Sequence, residues 1–259
     1  SPGVPAAATA ATVIVPWNDP EALERAVAEH EFAAILAEPY PANMGLVPPR
    51  EGFLELLREA ATAGGALLIF DEVITGLRVA PGGAQELTGV TPDLTVLGKI
   101  VGGGLPAAAY GGSAELMERI APAGDVYQAG TLSGNPLAVA AALATLAQLD
   151  ERAYLRLQST TTALAEGLRE AAAGRVPVQV SSTTGLLTVF FREDPVRDYE
   201  DARACDLERH AAWCRALLAR GVYPPPSQFE AWFPSLEHTP ELVERTLEAA
   251  TAAFTEVAA

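Results

Sequence analysis

Two stretches of sequence, ALLIFDEV at 66–73 and LTVLGK at 94–99, decide the fold. Each is an apolar run that ends in ionisable residues, and each is preceded by a turn signal, Gly-Gly or Pro-Asp. Runs of this length and composition are typical of parallel strands that are covered on both faces. Since ligands of open α/β sheets bind beyond the carboxyl ends of such strands, Asp71 and Lys99 are expected to face one crevice.

The patterns around these runs predict a mostly parallel sheet. A strand at 32–37, a helix at about 50–62 and a strand at 66–70 form a β-α-β unit, which favours parallel pairing with a right-handed crossover. A strand at 107–110 returns too soon for a crossover, so we expect it to be antiparallel. A further short strand is predicted at 12–15. The fold class is therefore α/β.

A second, smaller unit is expected to follow Asp150, where the composition changes. The patterns there predict helices and strands at 153–173, 178–180, 186–191, 202–220 and 239–257. We therefore divide the chain into part of a large domain at 1–150 and a small α+β domain at 151–259. A proline-rich and aromatic stretch at 224–233 is too irregular for a strand and is a candidate substrate-facing loop.

Charge and composition argue against several classes of partner. The 259 residues carry a formal net charge of −16, which disfavours binding to nucleic acid. Neither a membrane-spanning apolar run nor a signal peptide is visible, so we expect no membrane partner and a cytoplasmic location. Cys205 and Cys214 lie nine apart in a helical pattern and are not expected to pair. The three histidines lack metal-ligand spacing, so no metal site is predicted.

A lysine and an aspartate at neighbouring strand ends suit one particular chemistry. The lysine can form a Schiff base and the aspartate can keep a pyridinium nitrogen protonated, which are two requirements of pyridoxal phosphate enzymes. The alternatives are that Lys99 ends a strand at the surface and that Asp71 caps a turn. The glycines that flank Lys99 let the backbone approach a ligand closely, and Val73 is a poor turn residue. Both observations favour a functional role.

The stretch GTLSGNP at 130–136 precedes a strongly apolar helical pattern. It could bind phosphate, because hydroxyls and free N–H groups at a helix N-terminus attract anions. Ordinary helix capping by Ser133 or Asn135 explains the same residues equally well.

Three further polar residues allow two interpretations each. Glu38 and Asn43 either satisfy backbone groups of their own loop or belong to a site. Glu230, beside Phe229 and Trp232, is either a charge at the rim of a site or a carboxylate held in a partly apolar one.

The motifs as a set resemble one family. FDEVITG at 70–76, GVTPDL at 89–94 and LGKIVGGGLP at 97–106 resemble the class III aminotransferases, a group of fold-type-I pyridoxal phosphate enzymes. Four further motifs resemble the aminomutase branch of that family. They are YGG at 110–112, APAG at 121–124, YQAGTLSGNPL at 127–137 and QFEA at 228–231. The resemblance covers essentially the whole chain.

The resemblance implies a fold-type-I architecture. This is an incomplete, mostly parallel sheet with helices on both faces, followed by a small α+β C-terminal domain. The resemblance also implies that Lys99 is the Schiff-base lysine and proton shuttle. It implies that Asp71 pairs with the pyridine nitrogen and that Val73 lies against the ring face of the cofactor.

The remaining roles come from the same resemblance. Asn43 is implied to lie near the phenolic oxygen of the cofactor, with Glu38 supporting it. Gly130 and Thr131 are implied to contact the phosphate of the neighbouring subunit's cofactor, which makes the protein a homodimer. Glu230 is implied to be a catalytic residue at the substrate entrance.

The activity implied is an intramolecular amino transfer on a small amino acid. Pyridoxal 5'-phosphate, passing through its pyridoxamine form, would convert glutamate-1-semialdehyde to 5-aminolevulinate, a tetrapyrrole precursor. Family members have a long portion before the equivalent of Ser1, so we expect this chain to be a C-terminal part whose activity needs that portion. The alternatives are a class III aminotransferase acting on another amino donor, and a non-catalytic remnant that serves as a dimerisation or binding module.

Overall fold

Parallel pairing occurs where the sequence alternates strand and helix patterns. The structure, a computed structural model, describes residues 2–258. One sheet contains, in spatial order, β1 (Ala34–Ala37), β2 (Leu67–Glu72), β3 (Leu94–Leu97) and β4 (Ala109–Gly112). β1 and β3 both pair with β2 in parallel, whereas β4 pairs with β3 in antiparallel fashion. The predicted α/β class and the antiparallel return strand are confirmed.

The helices of the first half lie between and after these strands. They are α1 (Ala6–Thr9), α2 (Pro20–Glu29), α3 (Phe53–Gly64), α4 (Gly83–Thr88), α5 (Ala114–Met117) and α6 (Pro136–Leu146). A single turn of 3-10 helix, Lys99–Gly102, begins two residues after β3 ends. Three of the helix starts follow a side-chain cap, for example Asp19, whose Oδ1 accepts a hydrogen bond from the backbone N–H of Ala22 at 2.9 Å.

The second half contains a two-stranded antiparallel sheet and long helices. Its elements are α7 (Glu151–Ala172), β5 (Gln179–Thr183), β6 (Leu186–Phe190), α8 (Tyr199–Arg203), α9 (Leu207–Ala219) and α10 (Pro240–Ala258). Among residues 2–258, no helix combines the length and the apolar character that crossing a membrane requires.

Two predicted elements were wrong. Residues 12–15 form no strand, because this extended segment pairs with no other strand in the described chain, and Ile14 is 89% exposed. The helix predicted at 202–220 is two helices, α8 and α9. The break occurs at Asp206, whose carboxylate caps α9 through the N–H of Arg209 at 2.9 Å and whose own N–H donates to Phe191.

The two faces of the main sheet are covered unequally. Leu68 and Phe70 of β2 are fully buried against α2 and α3, with Phe53 among their neighbours. Side chains alternate between faces along a strand, so Leu36 and Ile69 lie on the opposite face. Leu36 is 65% exposed and Ile69 is only half-buried. The described residues therefore leave an apolar sheet face open.

The core of the second half is built on an aromatic cluster. Trp213 is fully buried and stacks on Phe254 with ring centroids 4.9 Å apart and on Trp232 at 5.8 Å. Phe191 and His210 complete this cluster at 5.5 and 6.1 Å from Trp213. His210 and the free thiol of Cys214 are both buried within it.

The two halves pack against each other through smaller apolar clusters. One joins Leu46 and Ile74 to Leu186, and another joins Val47 to Phe190. The boundary predicted at residue 150 stays a prediction, but the two sheets do lie on opposite sides of it in the sequence.

His210 makes the stability of the second half sensitive to pH. Burial lowers the pKa of His210 from 6.5 to about 4, so the folded chain holds it neutral while the unfolded chain takes up a proton below pH 6.5. The free energy of unfolding should therefore fall by up to about 3 kcal/mol as the pH drops from 6.5 through 4.

This prediction is checked by urea unfolding at several pH values, followed by tryptophan fluorescence. His210→Gln should flatten the dependence, whereas His238→Gln, at an exposed position, should leave it unchanged. Equal slopes in wild type and His210→Gln would show that His210 does not titrate in this way.

Candidate functional site

The carboxyl ends of three strands meet at one edge of the sheet. Glu72 pairs with Leu97, so β2 and β3 end in step, and Ala37 pairs with Phe70, so β1 ends two residues earlier. Glu38 directly follows β1, and Lys99 follows β3 after one glycine. Since neighbouring strands lie about 4.8 Å apart, this register brings Glu38, the end of β2 and Lys99 to one edge of the sheet.

Lys99 has an unusual backbone. Its φ of 45° lies in the left-handed region, which side chains other than glycine rarely adopt. Gly98 before it is buried and extended, and Gly103 after it has a φ of 57°. The Lys99 side chain is exposed. Its amine is therefore presented on a tight turn rather than on a regular strand.

Lys99 is also the single lysine of the printed sequence. The 17 cationic side chains are this lysine and 16 arginines. Arginine cannot condense with an aldehyde as a primary amine does, so Lys99 offers the one lysine amine for that reaction within these 259 residues.

Asp71 does cap a turn, as the alternative interpretation of this residue predicted. Its Oδ1 accepts a hydrogen bond from the N–H of Val73 at 3.0 Å, so the carboxylate does stabilise the turn after β2. The residue is half-buried, and Oδ2 forms no hydrogen bond within residues 2–258. The hydrogen bond to Val73 therefore holds Oδ1. Because the carboxylate group is rigid, the same bond also restricts the position of Oδ2.

Val73 packs the end of β2 against the start of the Lys99 turn. A Cβ atom placed on Gly98 would lie 3.1 Å from Cγ1 of Val73, so a larger residue there would press on the Val73 side chain. Glycine at position 98 lets the Val73 side chain lie directly against the backbone before Lys99.

Glu38 and Asn43 form a pair, as the resemblance implied. The Glu38 carboxylate accepts hydrogen bonds from Nδ2 of Asn43 at 3.0 Å and from the N–H of Ala42 at 3.3 Å. The contact with Ala42 fits the loop-backbone interpretation, and the other contact orients the exposed Asn43 amide. The site role of both residues stays a prediction.

The loop that carries Asn43 is held by the second half of the chain. The Leu46 N–H donates to Oγ1 of Thr188 at 2.9 Å, and the Gly45 N–H donates to the Phe229 carbonyl at 2.9 Å. Gly45 has a φ of 77°, and a Cβ atom there would lie 2.5 Å from the Phe190 ring. Strand β6 and the 224–233 loop therefore fix the position of Asn43.

Glu230 is exposed on the loop at 224–233, which fits the rim-charge interpretation. The loop is tied down on both sides of Glu230, by the Phe229 bond to Gly45 and by paired backbone hydrogen bonds between Trp232 and Leu187. The bond between Phe229 and Gly45 connects the loop of Glu230 to the loop of Asn43, and the bonds between Trp232 and Leu187 connect it to β6.

Arg78 links the same loop to the segment that follows Asp71. Its guanidinium carbon lies 4.7 Å from the ring centre of Phe233, and its Nε donates to the Ile74 carbonyl at 2.8 Å. Burial lowers the pKa of Arg78 to about 10, which still leaves it charged near neutral pH.

Gly130 and Thr131 are not joined to this edge by any hydrogen bond within the described residues. Both are exposed, and the Gly130 carbonyl accepts from the N–H of Ser133 at 3.0 Å. Asn135 caps α6 through the N–H groups of Leu137 and Ala138 at 3.0 and 3.2 Å. The capping interpretation is therefore correct for Asn135, and the phosphate role of Gly130 and Thr131 stays a prediction.

The sequence patterns did not predict the buried polar residues that hold the loops of the candidate site. Thr188 and Gln228 are almost fully buried, and the Gln228 amide donates to the Ala202 carbonyl at 3.0 Å. A hydroxyl within the otherwise apolar LLTVF of β6 was the available signal for Thr188. Its partner Leu46 lies 142 residues away and has no local signature.

The sheet topology places the chain among the α/β proteins. In such proteins ligands bind beyond the carboxyl ends of the parallel strands. The family description "Aminotransferase class-III" matches residues 2–249, and the chain belongs to this family.

Individual relatives agree with that assignment. Glutamate-1-semialdehyde 2,1-aminomutase from Thermomicrobium roseum is 52% identical over 100% of this chain and 61% of its own length. The protein of the same name from Desulforudis audaxviator is 54% identical over 98% of this chain and 60% of its own. The chain thus spans about three fifths of the length of these relatives.

Solved structures show the same fold. An omega-transaminase from Sphaerobacter thermophilus superimposes with a TM-score of 0.93 at 35% identity, covering 99% of this chain and 60% of its own. A glutamate-1-semialdehyde-aminomutase from Pseudomonas aeruginosa PAO1, in complex with PMP, gives 0.85 at 32% identity, covering 95% and 56%. The predicted fold type and family are confirmed.

Removing the Thr188 hydroxyl should loosen the Asn43 loop. Thr188→Val keeps the side-chain shape but leaves the buried Leu46 N–H without an acceptor, which should cost about 1–3 kcal/mol in the free energy of unfolding. Thr188→Ser should recover most of this loss, as chemical denaturation would measure.

Thr246→Val is the matched control, because the Thr246 hydroxyl bonds only to a carbonyl within its own helix. It should change the free energy of unfolding by less than about 0.5 kcal/mol. A Thr188→Val variant as stable as this control would contradict the assigned tie.

Proposed function

We propose that the full-length protein is a pyridoxal phosphate enzyme that converts glutamate-1-semialdehyde to 5-aminolevulinate by moving an amino group within the molecule. The observation that carries this proposal is the placement of the single lysine, Lys99, one strand away from Asp71 at the carboxyl edge of the sheet. The names of the relatives, which match across the whole chain, support the choice of substrate.

The side chains at this edge fit the cofactor chemically. A primary amine on a turn, a carboxylate with one oxygen not hydrogen-bonded within the described residues, and an apolar valine are the groups that a pyridine aldehyde needs. Val73 lies against Gly98, next to Lys99, and its N–H bonds to Asp71. Lys99 would attach the cofactor, and Asp71 would hold its ring nitrogen.

Each residue then has one task in the reaction. Bound pyridoxal phosphate supplies an electron sink for the carbons that carry the amino groups. Lys99 takes a proton from one substrate carbon at Nζ and returns it to the other, acting as general base and then as general acid. Asp71 would keep a proton on the ring nitrogen by charge, and Val73 would exclude water from one ring face.

Asn43 and Glu230 act at the margins of the site. The Asn43 amide uses one N–H for Glu38, so its orientation is fixed, and its second N–H would be available to the phenolic oxygen of the cofactor. Glu230, exposed on the tethered loop, acts at the substrate entrance. Both groups stay in place because the second half of the chain holds their loops.

The proposal includes a homodimer in the cytoplasm. Helix α6 has no charged residue, and Leu137 and Leu143 on it are 72% and 64% exposed. Burying this surface against a second subunit removes apolar area from water and carries Gly130 and Thr131, which precede α6, towards the partner's cofactor phosphate. The two free, buried cysteines are in keeping with a reducing compartment.

A second candidate is an aminotransferase that uses an external amino donor. The superposition on the omega-transaminase from Sphaerobacter thermophilus favours keeping it. Glutamate-1-semialdehyde alone separates the candidates, because the aminomutase forms 5-aminolevulinate without a second substrate. Turnover that appears only after alanine or another donor is added would favour the aminotransferase.

Lys99→Ala in the full-length protein should abolish the Schiff-base absorption of bound pyridoxal phosphate. The reason is that this variant removes the amine that attaches the cofactor, and absorbance spectra of the purified protein measure it. The double variant Lys99→Ala/Arg25→Lys restores one lysine at a position that is 63% exposed and away from the carboxyl edge of the sheet. Its spectrum should still lack the Schiff-base absorption. An unchanged spectrum in Lys99→Ala would refute the assignment.

Leu143→Glu should convert the dimer to a monomer. A charge placed in the exposed apolar face of α6 would be buried in the interface, which is strongly unfavourable. Sedimentation of the full-length protein measures the change, and Leu218→Glu, at a site that is 55% exposed on α9, is the control that should stay dimeric. Dimers in both variants would place the interface elsewhere.

A further inference from the structure

Glu72, the residue after Asp71, is a buried carboxylate without a cationic partner. It is 1% exposed and forms no ion pair within residues 2–258. Instead, it accepts hydrogen bonds from Oγ1 of Thr75 at 2.9 Å, from the N–H of Ala84 at 2.5 Å and from Gln85. Burying a carboxylate is costly, so this set of neutral donors has to be held in place.

The start of α4 is shaped around that carboxylate. Gly83 has a φ of 71°, and a Cβ atom there would collide with Oε2 of Glu72. The position therefore requires glycine for its backbone conformation and for its lack of a side chain. Helix α4 is thereby tied directly to the last residue of β2.

Gln85 extends this contact to the next strand. Its Nε2 donates one hydrogen bond to Oε1 of Glu72 at 3.0 Å and another to Oγ1 of Thr95 at 3.1 Å. Both amide hydrogens are thus used. Thr95 pairs with Phe70 in the sheet, so it lies on the same face as Glu72 and on the face opposite to Asp71.

This bridge ends four residues before Lys99. The left-handed backbone of Lys99 persists only if its surroundings fix it, because such conformations cost free energy. Val73 against Gly98 fixes the turn from one side of the sheet. The Gln85 bridge fixes the lateral spacing of β2 and β3 from the other side.

We propose that Glu72, Gln85 and Thr95 are positioning residues that set the separation between Asp71 and Lys99. The hydrogen-bonded bridge from the end of β2 through α4 to β3 holds the carboxylate and the amine at the distance that one cofactor ring spans. This inference rests on the proposed cofactor site and assigns no chemical step to the three residues.

Thr95→Val tests the bridge with the least disturbance. It keeps the side-chain shape and removes the acceptor for Gln85, and Thr95→Ser restores a hydroxyl. Thr88→Val on α4 is the matched control. The Thr88 hydroxyl donates to the Ala84 carbonyl and accepts from the N–H of Val90 at 3.4 Å, but it bonds to no member of the bridge. All variants are made in the full-length protein.

Two measurements separate positioning from general stability. In the cofactor-free protein, hydrogen exchange at 94–102 should rise about threefold to tenfold in Thr95→Val, the range expected from one lost hydrogen bond. In the loaded protein, the pH midpoint of the Schiff-base absorbance should move upward by about 0.5. A ring nitrogen that Asp71 holds less well carries less positive charge, and this raises the pKa of the Schiff base. Thr95→Ser and Thr88→Val should match wild type in both.

The outcomes are distinguishable. A Thr95→Val protein whose exchange and pH midpoint equal those of Thr88→Val overturns the bridge while leaving the cofactor site intact. A faster exchange with an unchanged midpoint shows that the bridge stabilises the strands without positioning Asp71, and it also overturns the proposal. Absence of the Schiff-base absorption in wild type would instead defeat the proposed function.

Discussion

Parallel pairing of β2 with β3 is the constraint on which the site depends. The register joins Asp71 to Val96 and Glu72 to Leu97, so the two strands end side by side and the chain turns sharply after each. Parallel strands cannot be joined by a tight turn, and the connection through α4 supplies the crossover. The same connection returns a glutamine, Gln85, to the end of β2 and to the second residue of β3.

The second half of the chain contributes position rather than reactive groups. Thr188, Phe190 and Phe229 hold the loop of Asn43 by two hydrogen bonds and one close ring contact. The apolar clusters at this junction combine residues from both sides of residue 150. The candidate site therefore lies at the junction of the two halves.

The sequence predicted the parts of the fold that local pattern controls. The apolar runs ending at Asp71 and Lys99 predicted two parallel strands, and the short glycine-rich turn predicted the antiparallel strand β4. Residues 12–15 have strand propensity but no partner in the described chain, so propensity alone misled. Asp206 begins α9 as its N-cap, and its own N–H bonds to the Phe191 carbonyl, a tertiary contact that no local pattern reveals.

For the candidate site, the sequence likewise predicted the residues that local pattern places and did not predict those that the tertiary fold brings together. Side chains at strand ends, Asp71 and Lys99, follow from the register, and Glu38 with Asn43 follows from the resemblance. Thr188 and Gln85 were not foreseen, because their roles depend on partners brought together by the tertiary fold. Buried polar residues within apolar strands, such as Thr188 and Glu72, are the sequence feature that marks such support.

The most direct measurement is a crystal structure of the full-length protein with pyridoxal phosphate bound. We expect continuous density from Nζ of Lys99 to the cofactor, with the Asp71 carboxylate within hydrogen-bonding distance of the ring nitrogen. Cofactor density attached elsewhere, or Lys99 and Asp71 facing separate cavities that one pyridine ring cannot bridge, would contradict the paired strand ends as the basis of the site.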